Sequence, residues 1–262
     1  MDIKHVLTIA GSDSGGGAGI QADLKTMAAH RVFGMSAIVA VTAQNTLTVS
    51  AVHDLPPEMV RAQIDAVFSD IRVDAVKIGM LSSQVLIETV AECLRRWRPV
   101  FTVLDPVMVS KSGCALLKPD AVAALRKELL PLANLLTPNI PEAEVLTGKK
   151  ITDRVGMQKA AAALIEAGCG AVLVKGGHAS EHADDLLFDG QQEFWLEGER
   201  IPGRNTHGTG CTLSSAIAAN IANGCTLHEA CLRAKEYVRR AITAGLEIGG
   251  GCGPLHHFVD WY

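Results

Sequence analysis

Short apolar runs rich in Val and Ile recur along the chain and alternate with helix-length amphipathic stretches. That pattern predicts repeated βα units around a mainly parallel sheet. Strands are expected over residues 5–10, 37–41, 51–55, 74–78, 101–104, 135–137 and 171–174. Between them fall helices over 20–30, from Pro56-Pro57 to about Asp70, from a Ser82 cap to Trp97, and over 120–132 and 157–167. Residues 184–188 and 193–196 are apolar arms around Asp189-Gly190, the signature of a hairpin that interrupts the alternation late in the chain. Two helices follow, 211–223 and 227 to about 246, the second capped by Thr226.

In such sheets the chemistry collects where strands end, so the polar residues at those points carry the functional reading. The most informative stretch precedes the penultimate helix: Gly203-Arg204-Asn205-Thr206-His207-Gly208-Thr209-Gly210-Cys211-Thr212. A glycine-punctuated turn flowing into a helix leaves backbone N–H groups without acceptors at the positive end of the helix dipole, which makes an anion cradle. Cys211 stands in that turn, where packing at the helix start is its alternative role.

The first strand ends in a glycine loop, residues 11–19, read either as a binding loop or as a turn needing positive φ. Its Gly17-Ala18-Gly19-Ile20-Gln21-Ala22 satisfies GxGxxA, but the next strand lacks the acidic residue that would hold a ribose. A GxxxxGK[ST] phosphate loop fails too, because Leu24 precedes Lys25-Thr26. Gln44, in Thr42-Ala43-Gln44-Asn45-Thr46, offers a donor and an acceptor together, suited to the N–C–NH₂ edge of a heteroaromatic ring or simply to a polar turn. Asp105 at a central strand end calls for a metal or helix N-terminus as partner, or caps a loop. Asn139 and Glu142 lie three apart at a helix start, which serves a hydrated Mg²⁺ with phosphate oxygens or a capping box equally well. Lys175-Gly176-Gly177-His178 reads as a phosphate contact or a tight turn, and residues 110–113 as a polar link able to fold over a site. His256 and His257 are adjacent and so cannot share one face as metal ligands.

Composition narrows the classes. The 262 residues, 48 % of them hydrophobic, suit one domain over 1–262. A net charge of −4 without a long basic block argues against nucleic acid, and no run approaches the ~18 apolar residues of a membrane helix. A cytoplasmic protein with neither nucleic-acid nor membrane partner is expected. Seven scattered cysteines without a CxxC pair point to neither a disulfide framework nor a zinc site.

The ordered set of motifs resembles the vitamin-kinase branch of the ribokinase superfamily over essentially the whole chain, and within it the kinases acting on hydroxymethylpyrimidine and its phosphate in thiamine biosynthesis. The residues that carry the likeness are 10–14 and 16–26, Gln44-Asn45-Thr46, Lys77-Ile78-Gly79-Met80-Leu81, Asp105-Pro106-Val107-Met108, 137–143, 175–178 and 206–212. The resemblance implies a three-layer α/β/α fold with a mainly parallel central sheet, ATP and Mg²⁺ as cofactors, and a homo-oligomer, expected as a dimer. It implies that Gly11, Asp23, Gln44 and Met80 line an aminopyrimidine pocket, that Asn139, Glu142, Lys175, Gly177, Thr206, Gly208, Thr209 and Gly210 serve nucleotide and phosphate, and that Asp105 and Glu142 serve the metal. Sugar-kinase relatives place an aspartate base at the position of Cys211, so the thiol is expected to work as a thiolate of lowered pKa at the helix N-terminus. Cys114 departs from the acidic residue of many relatives in the flap segment. The competing readings are a pyridoxal or pyridoxine kinase, against which Ser110 argues, a non-catalytic pyrimidine-binding protein, and a dinucleotide oxidoreductase.

Overall fold

In the computed structural model the described residues are 2–109, 117, 119–177 and 183–261. The link over 110–114, with Ser110 and Cys114, and His178 lie outside them. The parallel sheet is built from β1 (His5–Ala10), β2 (Phe33–Ile38), β5 (Ala75–Ile78), β6 (Thr102–Leu104), β7 (Leu135–Leu136) and β8 (Val172–Val174), and extended antiparallel by the hairpin β9 (Asp185–Phe188) and β10 (Glu193–Leu196). The strand order is β10-β9-β8-β7-β6-β5-β1-β2. After β1 the chain first adds β2 on one side and then returns to build the rest of the sheet on the other, so the carboxyl ends of β1 and β5 flank a crevice at the topological switch point.

Alternation along the strands separates two apolar layers. Leu7, Ile9, Val76, Ile78, Leu104 and Leu136 pack against α2 (Pro57–Asp70), α3 (Gln84–Trp97), α5 (Ile140–Thr147) and α6 (Arg154–Glu166) through Ile64, Leu86, Leu146 and Leu164. Val6, Ala75, Val103 and Leu135 face α1 (Gly19–Ala29), α7 (Thr209–Ala222) and α8 (Leu227–Ala244) through Met27, Ile217 and Tyr237. The three-layer expectation holds, as does the Thr226 cap of α8, a capping box completed by Glu229.

Three expectations are corrected. Residues 37–41 do not form one strand: the chain leaves the sheet after Ile38, Val39 donates to the Ala10 carbonyl, and β3 (Ala40–Gln44) pairs antiparallel with β4 (Val49–Asp54) in a separate ribbon. Ser82 does not cap α3; Ser83 occupies that position, while the Ser82 hydroxyl donates to Asp54 Oδ1 at 2.6 Å. The expected helix over 120–132 is α4 (Pro119–Ala124), then a wide turn over Leu125–Leu129 and a tight one over Leu130–Leu132, since Pro131 has no N–H with which to continue a regular helix.

Candidate functional site

A cavity of about 580 Å³ opens at the strand ends beside the switch point, and it gathers Gly11, Gln44, Met80, Asp105, Asn139, Glu142, Lys175, Gly208, Thr209, Gly210 and Cys211 from loops far apart in sequence. Asp23, Gly177 and Thr206 are not among its walls. One end is framed by the glycine loop. A Cβ at Gly11 would stand 2.5 Å from Met80 Cε, so the absence of a side chain there lets the methionine line the cavity floor. Within the loop Asp13 acts as the organiser: its Oδ1 accepts from the Gly15 amide at 2.8 Å, and its Oδ2 from the amides of Gly17 at 3.0 Å and Ala18 at 2.8 Å. Burial opposes that charge, yet His207 and the amides outweigh it and hold the Asp13 carboxyl below the ordinary carboxylate range.

His207 reaches the loop from the opposite end of the chain, with Nε2 at 2.9 Å from Asp13 Oδ2. Gln44 ends β3 beside it, its side-chain amide between His207 Nε2 and Thr42 Oγ1, each at 3.3 Å. Asp13, Thr42 and His207 therefore belong to the cavity wall, although the sequence reading assigned them no role. The signals were present: an aspartate followed by glycine amides, and a histidine directly before the anion turn.

Asp23, expected in the pocket, sits behind the wall instead. It is wholly buried, paired with Lys77 at 2.8 Å and bonded by the hydroxyls of Thr8 at 2.6 Å and Ser215 at 2.7 Å. A carboxylate so deep requires a charge partner, and Lys77 on β5 supplies it. Gly177 is exposed, and Thr206 acts through its carbonyl, which accepts from Thr209 Oγ1 at 2.7 Å.

The other end is the start of α7. Gly208 adopts φ +81°, and a Cβ there would stand 1.9 Å from the Gly17 carbonyl oxygen, so only glycine permits the anion turn to press against the first loop. Helix α7 begins with neither a side-chain cap nor an acidic residue in its first turn; the Thr209 amide makes only a long contact, 3.4 Å, to the Thr206 carbonyl, and the amides that follow it open toward an external anion. Beneath this turn lies an ion pair, Lys175 Nζ to Asp105 Oδ1 at 2.9 Å, with Thr137 Oγ1 at 3.2 Å from the same oxygen and Ser214 donating to Oδ2 at 3.4 Å. Asn139 and Glu142 form the capping box of α5: the Glu142 amide donates to Asn139 Oδ1, and the Asn139 amide to Glu142 Oε2, both at 2.8 Å. The capping reading of that pair is thus realised, while Glu142 also lines the cavity and its carboxyl is bonded by the Met108 backbone. Burial pushes the Glu142 carboxyl up to about 7; Lys175 opposes the shift and Asp105 adds to it.

Cys211 departs from expectation. Burial pushes its thiol up to about 11; Lys77 pulls in the opposite direction, but Asp23 and Asp105 reinforce the rise. The helix-start rule alone misses this because burial, reinforced by two nearby carboxylates, outweighs the pull of Lys77. Cys211 is a neutral thiol in this site.

A mainly parallel sheet with a cavity at its strand ends, lined by the uncapped start of α7, places the protein among the small-molecule kinases of the ribokinase-like fold. The chain belongs to the phosphomethylpyrimidine kinase family, whose profile matches residues 13–256. It is 56 % identical over 260 residues to the hydroxymethylpyrimidine/phosphomethylpyrimidine kinase of Rhizobium meliloti (strain 1021), covering 98 % of this chain and 97 % of that protein. Among solved structures, the phosphomethylpyrimidine kinase of Clostridium difficile 630 superposes with TM-score 0.83 at 47 % identity, covering 91 % of this chain and 99 % of that one. The pyridoxal kinase of Staphylococcus aureus in complex with AMP-PCP and pyridoxal does so with TM-score 0.90 at 36 % identity, covering 99 % and 95 %. Among the described residues, no helix is long and apolar enough to cross a membrane.

Proposed function

We propose that the protein transfers the γ-phosphoryl group of ATP to the hydroxymethyl oxygen of 4-amino-5-hydroxymethyl-2-methylpyrimidine, and then phosphorylates the resulting monophosphate to the diphosphate. The observation that carries this reading is the placement of the Gln44 amide and the open start of α7, Cys211 included, in the wall of one cavity. Gln44 matches the N–C–NH₂ edge of the pyrimidine, and Gly11 and Met80 accept its apolar face. The amides of Gly208, Thr209, Gly210 and Cys211 hold the transferring group, so catalysis is chiefly positioning and charge neutralisation. In a loose phosphoryl transition state the hydroxyl proton leaves late, so a neutral thiol at Cys211 suffices to orient the hydroxyl by a hydrogen bond, and the proton passes to an oxygen of the transferred phosphoryl group as the new O–P bond completes.

Lys175 and Asn139 serve the nucleotide phosphates, and Mg²⁺ is assigned to the side of Glu142 and Asp105. The donor set fits a hydrated ion held by one or two carboxylates and by phosphate oxygens: Glu142 is a buried carboxyl in need of positive charge, whereas Asp105 already answers to Lys175. Bound there, Mg²⁺ would neutralise charge on the phosphates.

Pyridoxal is the competing acceptor, given the likeness to a kinase solved with pyridoxal. A kinase assay offering hydroxymethylpyrimidine, its monophosphate and pyridoxal under the same conditions tests the proposal. Turnover of both pyrimidines above pyridoxal is expected; no turnover of either pyrimidine overturns it.

A further inference from the structure

Asp13, His207, Gln44 and Thr42 form a chain of polar contacts whose donors and acceptors can be counted. The Asp13 carboxylate accepts and cannot donate, so the His207 Nε2 lying 2.9 Å from it carries a hydrogen. That same Nε2 lies 3.3 Å from the Gln44 side-chain nitrogen, and two N–H groups facing each other make no bond. At the other end of the amide, the Thr42 hydroxyl gives its single hydrogen to the Ser12 carbonyl at 2.8 Å, leaving a lone pair toward the Gln44 oxygen 3.3 Å away. A half-turn of the terminal amide exchanges its nitrogen and oxygen, and neighbouring groups decide which orientation holds. Here both neighbours ask for the same one: oxygen toward His207, nitrogen toward Thr42.

We propose that Asp13 and His207 are positioning residues that lock the Gln44 amide in that orientation and thereby set the specificity of the pocket for an aminopyrimidine. In this arrangement one lone pair of Oε1 faces the His207 Nε2–H, whose single hydrogen is held mainly by Asp13, and one N–H is taken by Thr42. One acceptor and one donor remain for a ligand, side by side. A ring nitrogen next to an exocyclic amine satisfies both, with the amine on the His207 side. A ring whose nitrogen is flanked by no N–H or O–H donor leaves Oε1 unpaired, which is the kind of mismatch that discriminates strongly in a buried site. The amides of Gly15, Gly17 and Ala18 keep Asp13 in place and charged, so the histidine tautomer is imposed from a rigid loop. Packing agrees: a Cβ at Gly17 would stand 2.5 Å from His207 Cδ2, so the ring lies directly on the loop.

The inference rests on the pyrimidine reading of the pocket, but its first test does not. Long-range ¹H–¹⁵N correlation spectra of the histidine-labelled protein, with no substrate present, report which nitrogen of His207 is protonated. The Nε2–H tautomer is expected, and an Nδ1–H tautomer overturns the proposal. Kinetically, His207→Phe keeps a ring but removes the donor, so KM for hydroxymethylpyrimidine should rise about tenfold with kcat changed less than about threefold, and its preference over pyridoxal should shrink accordingly. His207→Gln, which retains an N–H, should recover part of that preference. Thr42→Val removes the other constraint without touching the histidine and should shift specificity in the same direction, which keeps the test alive if the Phe variant does not fold. Equal losses on pyrimidine and pyridoxal in both variants overturn the proposal, whereas a wild-type enzyme inactive on pyrimidines with His207 as the Nε2–H tautomer overturns the substrate reading alone.

Discussion

Lys77 and Asp23 form an ion pair of 2.8 Å in which both side chains are wholly buried, directly behind the start of α7. Ser215, which donates to Asp23 at 2.7 Å, lies one helical turn beyond Cys211 on the same face of α7. A second pair, Lys175–Asp105, meets the adjacent face of the helix through Ser214. Two lysine–carboxylate pairs thus underlie the anion turn, the outer one lining the cavity and the inner one closed off from it. Burial alone would lower the pKa of Lys77, but Asp23 outweighs it and keeps the ammonium charged.

Lys77→Met removes one partner of the inner pair and leaves a carboxylate buried without its charge. The expected loss is about 3–5 kcal/mol of unfolding free energy, and Lys77→Met combined with Asp23→Asn should recover at least half of it. Urea denaturation of the two variants measures this. A single variant as stable as the wild type would show that the pair is not closed in solution.

The neutral Cys211 thiol should react slowly with iodoacetamide at pH 7, and its rate, followed by peptide mapping, should still be climbing above pH 9. A plateau near neutrality would contradict the combined effect of burial and of Asp23 and Asp105 on the thiol. For the same reason Cys211→Asp adds a third carboxylate to the neighbourhood. It should slow transfer to the monophosphate substrate at least about tenfold more than transfer to the alcohol, because like charges repel the incoming phosphate. Equal losses in the two turnovers would sink that expectation.

Glu142 and His257 give opposite pH dependences. The Glu142 carboxyl, raised to about 7 by burial, stays protonated in the folded protein after the unfolded chain has lost its proton, so its contribution to stability falls as pH rises from 4.5 toward 7. His257, buried with Nε2 3.1 Å from Thr212 Oγ1, is lowered to about 4 by burial and then by Lys25, so its contribution falls as pH drops from 6.5 toward 4. Each amounts to something on the order of 3 kcal/mol, and between pH 4.5 and 6.5 they offset. Glu142→Gln should therefore lose stability on acidification relative to the wild type, and His257→Gln should gain it. Urea midpoints across this range check the prediction, and curves for Glu142→Gln and the wild type that run parallel would refute it.

Gly208→Ala places a methyl group where the Gly17 carbonyl stands and forces φ +81° on a residue with a side chain. A loss of about 2 kcal/mol or more in stability is expected, together with a kinase rate reduced at least about a hundredfold, since the two loops that frame the cavity must separate. Thermal unfolding and turnover on the same preparation measure both, and wild-type activity in this variant would contradict the close contact of the loops.

Much of the fold was legible because its causes are local. The run His5–Ala10 coincides with the expected strand to the residue, the hairpin around Asp189-Gly190 pairs as its turn chemistry requires, and the Thr226 cap is in place. Side-chain alternation and backbone capping depend on near neighbours, so a reader of the chain recovers them. The β3–β4 ribbon was missed because Val39 continues the apolar run of β2 with nothing in the local pattern to mark that the chain leaves the sheet there.

The strand-end site was legible as a set of positions, and Gln44, Asp105, Asn139, Glu142, Lys175 and the 208–211 turn do converge on one cavity. What tertiary structure alone decided is charge. Asp23 looked like a pocket residue until Lys77, 54 positions away, proved to be its partner. Cys211 looked like a thiolate until the fold buried it, with Asp23 and Asp105 nearby. His207 carried no assigned role until it met Asp13, 194 positions earlier. By itself the sequence determined which elements form and which residues stand at their ends, because those follow from short-range periodicity and backbone hydrogen bonding. Which of those residues face the cavity, and in what protonation state, depends on burial and on charges brought together across the sheet, and only the folded chain provides those.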